Sequence, residues 1–153
     1  MTAHIKVDVD VADTVLYLTR VEERADNLIP VWQWARNELE RSNAANFAQN
    51  GLPSGKAWDP LDPQYGAWKS SRFPGMPTLV RTGKLFNSLT NLKGLPNYVR
   101  KDSASFGTNV EYAKFHQQGT FKMPKRQILF EPPLFAFRLA ERTNKWIVDG
   151  KVL

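Results

Sequence analysis

The sequence predicts an α+β fold: a small antiparallel sheet packed against two to four helices, with a long Pro/Gly/Trp-rich loop. Three observations predict it. Apolar residues recur at three- and four-residue spacing over most of 13–48, 79–92 and 134–148, the period of helices with one buried face. Short runs at 5–11 and 98–108 carry the alternation or β-branched and aromatic content of strands. Between Gly51 and Pro77, five prolines and four glycines argue against long regular elements.

In chain order, Ile5–Val11 alternates strictly and reads as a half-buried strand. Asp13 then starts a helix that carries Leu18, Val21, Ala25 and Leu28. Pro30 interrupts it, either kinking one long helix or starting a second. Val31, Trp32, Ala35, Leu39 and Phe47 continue the apolar stripe to a stop at Asn50-Gly51. The 51–77 loop holds Trp58, Leu61, Tyr65, Trp68 and Phe73, too many large apolar groups for an idle linker. A helix capped by Thr82 places Leu85, Leu89 and Leu92 on one face. Next come two short strands, 98–101 and 104–108, turning at Asp102-Ser103, and a short helix from Glu111 to Gln118 that ends at Gly119. Ile128-Leu129-Phe130 is an apolar strand-like triplet. After Pro132-Pro133, the last helix sets Phe135, Leu139, Arg142 and Trp146 along one face.

At 153 residues the chain falls in the size range of one domain, taken as 1–153, with core enough to fold. No apolar run is long enough to span a bilayer, and the opening MTAHIKVDVD lacks the pattern of a signal peptide, so no membrane role is expected. Without cysteine there are no disulfides, thiolate metal sites or thiol nucleophiles. Charge is split unevenly: residues 1–50 carry five Lys/Arg against eight Asp/Glu, and 51–153 carry sixteen against seven. An acidic half and a basic half in one chain suit head-to-tail self-association.

No catalytic or cofactor constellation is apparent. His4 lies near the start, and His116 stands without a Ser, Asp or metal-ligand pattern, which reads as a hydrogen-bonded structural or interface histidine. The pairs Asp8/Asp10, Glu22/Glu23 and Glu38/Glu40 read as solvated faces, and Gly51–Lys56 lacks the spacing of a phosphate loop. Two basic clusters are real: Lys69, Arg72, Arg81 and Lys84, and then Lys122, Lys125 and Arg126 beside Phe121. Interleaved with aromatics, they suit sequence-blind nucleic-acid contact, subunit salt bridges or a solvated surface. Trp32 and Trp34, two apart on a helix, point to different sides, so one of them packs outside the local core or on another chain.

Four blocks in order resemble the phage virion morphogenesis and tail-completion family. They are Asn46-Phe47; Trp58-Asp59-Pro60-Leu61 with Tyr65 and Trp68-Lys69; Leu79–Leu85 with Ser88-Leu89; and Tyr112-Ala113 with His116-Gln117 and Gly119, followed by Pro124-Lys125-Arg126 and Leu129. The pattern spans roughly residues 46–130, and the first 45 fit only by helical character. Gln118 stands where similar proteins often carry an aromatic.

The resemblance implies a structural virion protein of a tailed phage or phage-derived particle, assembled in the host cytoplasm. It implies no cofactor and no catalytic residue. It also implies a homo-oligomeric ring, hexameric in the expected form, at the head-proximal end of the tail or in the head–tail connector. There it would meet tail-tube, tail-terminator or head-connector proteins, with passing contact to phage DNA. The residues expected at subunit or partner contacts are Trp58, Tyr65, Trp68, His116, Gln117, Lys122, Lys125 and Arg126, the last paired with a carboxylate of a neighbour's acidic half. The competing reading is a sequence-nonspecific nucleic-acid-binding module.

Overall fold

The computed structural model describes residues 11–152. The strand expected at Ile5–Val11 lies outside them except for Val11, as does His4. Six helices and one two-stranded antiparallel sheet follow among the described residues, giving an α+β fold. In order these are α1 (Ala12–Ala25), α2 (Ile29–Ala48), α3 (Pro63–Arg72), α4 (Lys84–Thr90), β1 (Tyr98–Val99), β2 (Ala104–Ser105), α5 (Ala113–Gln118) and α6 (Phe135–Asp149).

Pro30 starts a second helix. It sits in the first turn of α2, where its missing N–H costs nothing. Between α1 and α2, Leu28 N–H donates to the Lys101 carbonyl, tying this junction to the hairpin turn. The hairpin is shorter than expected, pairing only Tyr98 with Ser105 and Val99 with Ala104. α4 begins at Gly83, in a left-handed conformation with φ 77°, and no Thr82 side chain caps it.

The core forms where α2 meets α4. Phe47, Trp58, Leu85, Leu89, Val110, Ala113 and Ile128 make one buried cluster, with Phe86 packed edge-on to Phe47 at 5.4 Å. Truncating a residue such as Leu89 to alanine there costs about 2–5 kcal/mol. Carboxylates read as solvated are put to use: Glu40 accepts from Leu92 N–H at 2.8 Å, and Glu38 reaches Arg138 of α6 at 2.6 Å. Trp34 stacks on Phe135 at 6.1 Å beneath the Arg142 guanidinium, so the Trp32/Trp34 pair requires no second chain.

Two expectations are corrected here. The 51–77 segment is not all loop, because Asp62 accepts from Tyr65 N–H and Pro63 opens the first turn of the ten-residue helix α3. Ile128–Phe130 is not a strand. Its neighbourhood is held by side chains instead: Asn46 Nδ2 and Trp58 Nε1 both donate to the Gln127 carbonyl at 3.0 Å. Gln117 Oε1 accepts from both Ile128 and Leu129 N–H at 2.9 Å, while its Nε2 donates to the Leu129 carbonyl. A buried extended segment needs partners for its amides, and here side chains from α2, α5 and the 58 loop supply them.

Candidate functional site

The polar scaffold around 126–129 leaves a groove on its outer side. Arg126 is buried, its Nε donating to the Asp59 carbonyl at 3.0 Å and Nη2 to the Pro60 carbonyl at 2.8 Å. Its own N–H donates to the His116 carbonyl at 2.7 Å. One residue therefore fixes the approach to α3, the end of α5 and the 126–129 segment relative to one another. Burial disfavours its charge, and Asp59 partly restores it.

From the approach fixed by Arg126, α3 sets Tyr65 and Trp68 on one face, their rings stacked at 5.5 Å, with Phe73 edge-on to Trp68 at 5.9 Å. Lys69, one position on, turns inward and is only 5% exposed. Its Nζ donates to the carbonyls of Met76 and Pro77, closing the loop after α3, and burial lowers its pKa. Opposite, α5 presents Tyr112, Phe115 and His116 at three- and four-residue spacing. A tight turn bridged between Thr120 and Met123 then carries Phe121 fully into solvent, at 104% exposure.

Together these elements enclose a groove of about 540 Å³. Its apolar lining includes Leu61, Leu79, Val80, Leu85, Phe115 and Met123. The charged side chains along it are Lys69, Arg81, Lys84, Lys122 and Arg126, five cations against the single carboxylate of Asp62. That carboxylate is already engaged with Tyr65 N–H. His116 also lines the groove; its buried Nδ1 has no hydrogen-bond partner among the described residues. Burial first, and Arg126 second, hold His116 below its ordinary pKa of 6.5. A neutral imidazole in an otherwise cationic groove is the result at neutral pH.

The fold thus unites the two basic clusters, 69–84 and 122–126, although Arg72 and Lys125 stay outside the groove. Of the expected contact residues, Tyr65, His116, Lys122 and Arg126 line it. Trp68 extends the aromatic surface beyond it through Tyr65, and Lys125 is exposed nearby, next to Gly119. Trp58 and Gln117 belong elsewhere. Trp58 is 7% exposed and packs edge-on to Phe47 at 5.3 Å, and Gln117 is the clamp on Ile128 and Leu129. Arg126 holds its own chain together through Nε and Nη2, which donate to the Asp59 and Pro60 carbonyls. Tyr112 and Phe115, which were not among the expected contact residues, also line the groove; their signal in the sequence is two aromatics three residues apart in the expected 111–118 helix.

Elsewhere on the surface, α1 buries none of its residues. No group of three or more His, Asp or Glu among the described residues is placed to hold a metal ion, and no described helix is long and apolar enough to cross a membrane.

Compared with known proteins, residues 9–143 match the model of the phage virion morphogenesis family. No curated protein and no solved structure matches the chain.

Proposed function

The chain belongs to the phage virion morphogenesis family, and on that premise we propose that it is a ring-forming structural protein of the tail-completion or neck type. Its ring, of about six copies joined by repeated heterologous contacts, sits at the head-proximal end of the tail or in the head–tail connector. The role is architectural, with no chemistry assigned to the groove. Virion structure follows from the family; ring and position are the proposal.

The observation that supports it is a pair of unlike surfaces on one subunit: a cationic, aromatic-edged groove and the exposed N-terminal half of helix α1. Aromatics and arginine gathered at an apolar patch are the composition of protein interfaces. Two different patches on one chain give a heterologous contact, which closes into a ring or runs on as a filament.

Mass photometry of the purified protein at low and high salt, with negative-stain imaging of the largest species, tests this. Closed rings are expected, and immunogold or cryo-electron microscopy of particles then places them at the tail's head-proximal end. A strict monomer that shifts duplex DNA at low salt, with affinity collapsing as salt rises, would replace the ring with a nucleic-acid module.

A further inference from the structure

The two surfaces are complementary in kind. Helix α1 is attached by its C-terminal end: Arg24 Nη1 donates to the carbonyls of Ile147 and Val148, and Trp146 Nε1 donates back to the Arg24 carbonyl at 3.1 Å. Every residue from Val11 to Arg20 is exposed, and Val11, Val15, Leu16, Tyr17 and Leu18 are each 48–57% exposed. Val11, Val15 and Leu18 recur at helical spacing, so they form one apolar stripe. Contiguous apolar surface of this kind marks an interaction site.

We infer that the groove of one copy receives the N-terminal half of α1, Val11–Leu18, from a second copy. This rests on the ring reading above and names its joint. Charge supports the pairing: the segment carries Asp13 as its one charged side chain, and Arg81, Lys84 and Lys122 line the groove besides the inward-turned Lys69 and Arg126. Apolar surface supports it too, because the stripe has a floor to meet in Leu61, Leu79, Val80 and Leu85. An amphipathic helix laid into an apolar groove by residues one turn apart is a recurring recognition mode. A phosphate backbone has no use for that floor, which is why a protein segment fits the groove better than nucleic acid does. The subunit's own α1 is docked on α6. Each copy then gives one helix and receives one, as a heterologous ring requires.

The absence of cysteine makes the test direct. Leu18→Cys and Lys122→Cys, both at exposed positions, are made as separate proteins, mixed, and mildly oxidised while assembly is followed by mass photometry. A disulfide-linked pair that forms in the mixture and not in either protein alone is expected, and the double variant should give a ladder that ends at the ring. In parallel, Arg81→Glu should weaken assembly by about tenfold or more. Wild-type-sized rings with no mixed disulfide would overturn the joint and leave the ring reading standing. Monomers at every concentration, with no disulfide, would overturn both. Linkage of Leu18→Cys to itself would assign α1 to a symmetric contact instead, and protection of the thiol at position 122 by duplex DNA would assign the groove to nucleic acid.

Discussion

The indole of Trp58 lies directly over Gly51: a Cβ at position 51 would come within 2.6 Å of Trp58 Nε1. Gly51 also has φ +91°, so a side chain there is strained even with space to spare. The turn between α2 and the loop is therefore shaped around a ring that belongs to the core. Gly51→Ala is expected to cost about 3 kcal/mol, combining left-handed strain with overpacking. Urea unfolding checks it, and a midpoint unchanged from wild type would mean that the loop can move off Trp58.

Arg126 is a structural cation within the subunit, lining the groove from a buried position. Arg126→Met removes both hydrogen bonds and leaves the Asp59 and Pro60 carbonyls without them. Destabilisation of about 2–3 kcal/mol follows from those unmet acceptors. Arg126→Lys should recover little of it, because one ammonium does not reproduce the guanidinium fork. Full stability of Arg126→Lys would show that charge alone suffices.

Gln117 does the work of an absent strand neighbour. Gln117→Ala deprives Ile128 N–H, Leu129 N–H and the Leu129 carbonyl of partners at once, at an expected cost of about 2–4 kcal/mol. Gln117→Glu keeps the two accepted bonds and loses the donated one, so its loss should be the smaller. Hydrogen exchange at the Ile128 and Leu129 amides separates the two variants: fast in the first, protected in the second. Equal exchange in both would remove Gln117 as the clamp.

What the sequence revealed and what it hid follow the same physics. Leu85 and Leu89 are legible because a buried helix face repeats with a fixed period; Leu92 is buried too, but beyond the end of α4. α3 was hidden by the Pro/Gly density around it, even though Asp62-Pro63 is itself a helix start. The 126–129 segment carries no period, since its amides are satisfied by Asn46, Trp58 and Gln117 from distant positions. The groove was half visible: both basic clusters and Tyr65 could be named, but charged residues are exposed by default, so nothing signalled that Lys69 and Arg126 turn inward.

Glu38 and Arg138 join α2 to α6 through the 2.6 Å ion pair. Arg138 is still 37% exposed, so solvent screens the contact and a coupling of only about 0.5–1 kcal/mol is expected. A double-mutant cycle with Glu38→Gln and Arg138→Met measures it. The coupling should shrink in about 1 M salt. A coupling that salt leaves untouched would point to packing of the two stems, not to charge.

His116 gives stability a slope on the acid side. Burial, and then Arg126, depress its pKa in the folded protein below 6.5, whereas the unfolded chain titrates near that ordinary value. Between the two values the unfolded state binds more protons, so the free energy of unfolding falls as pH falls. The contribution is complete above about pH 6.5, declines below it, and levels off once the pH passes the depressed folded value. His116→Phe keeps a ring against Tyr112, which now lies edge-on at 6.1 Å, and removes both the titration and the unpartnered Nδ1. Urea midpoints at about pH 7.5 and pH 5 should differ less in that variant than in wild type. The same difference in both would mean that His116 is solvated in the folded protein and that the acid slope arises from the carboxylates.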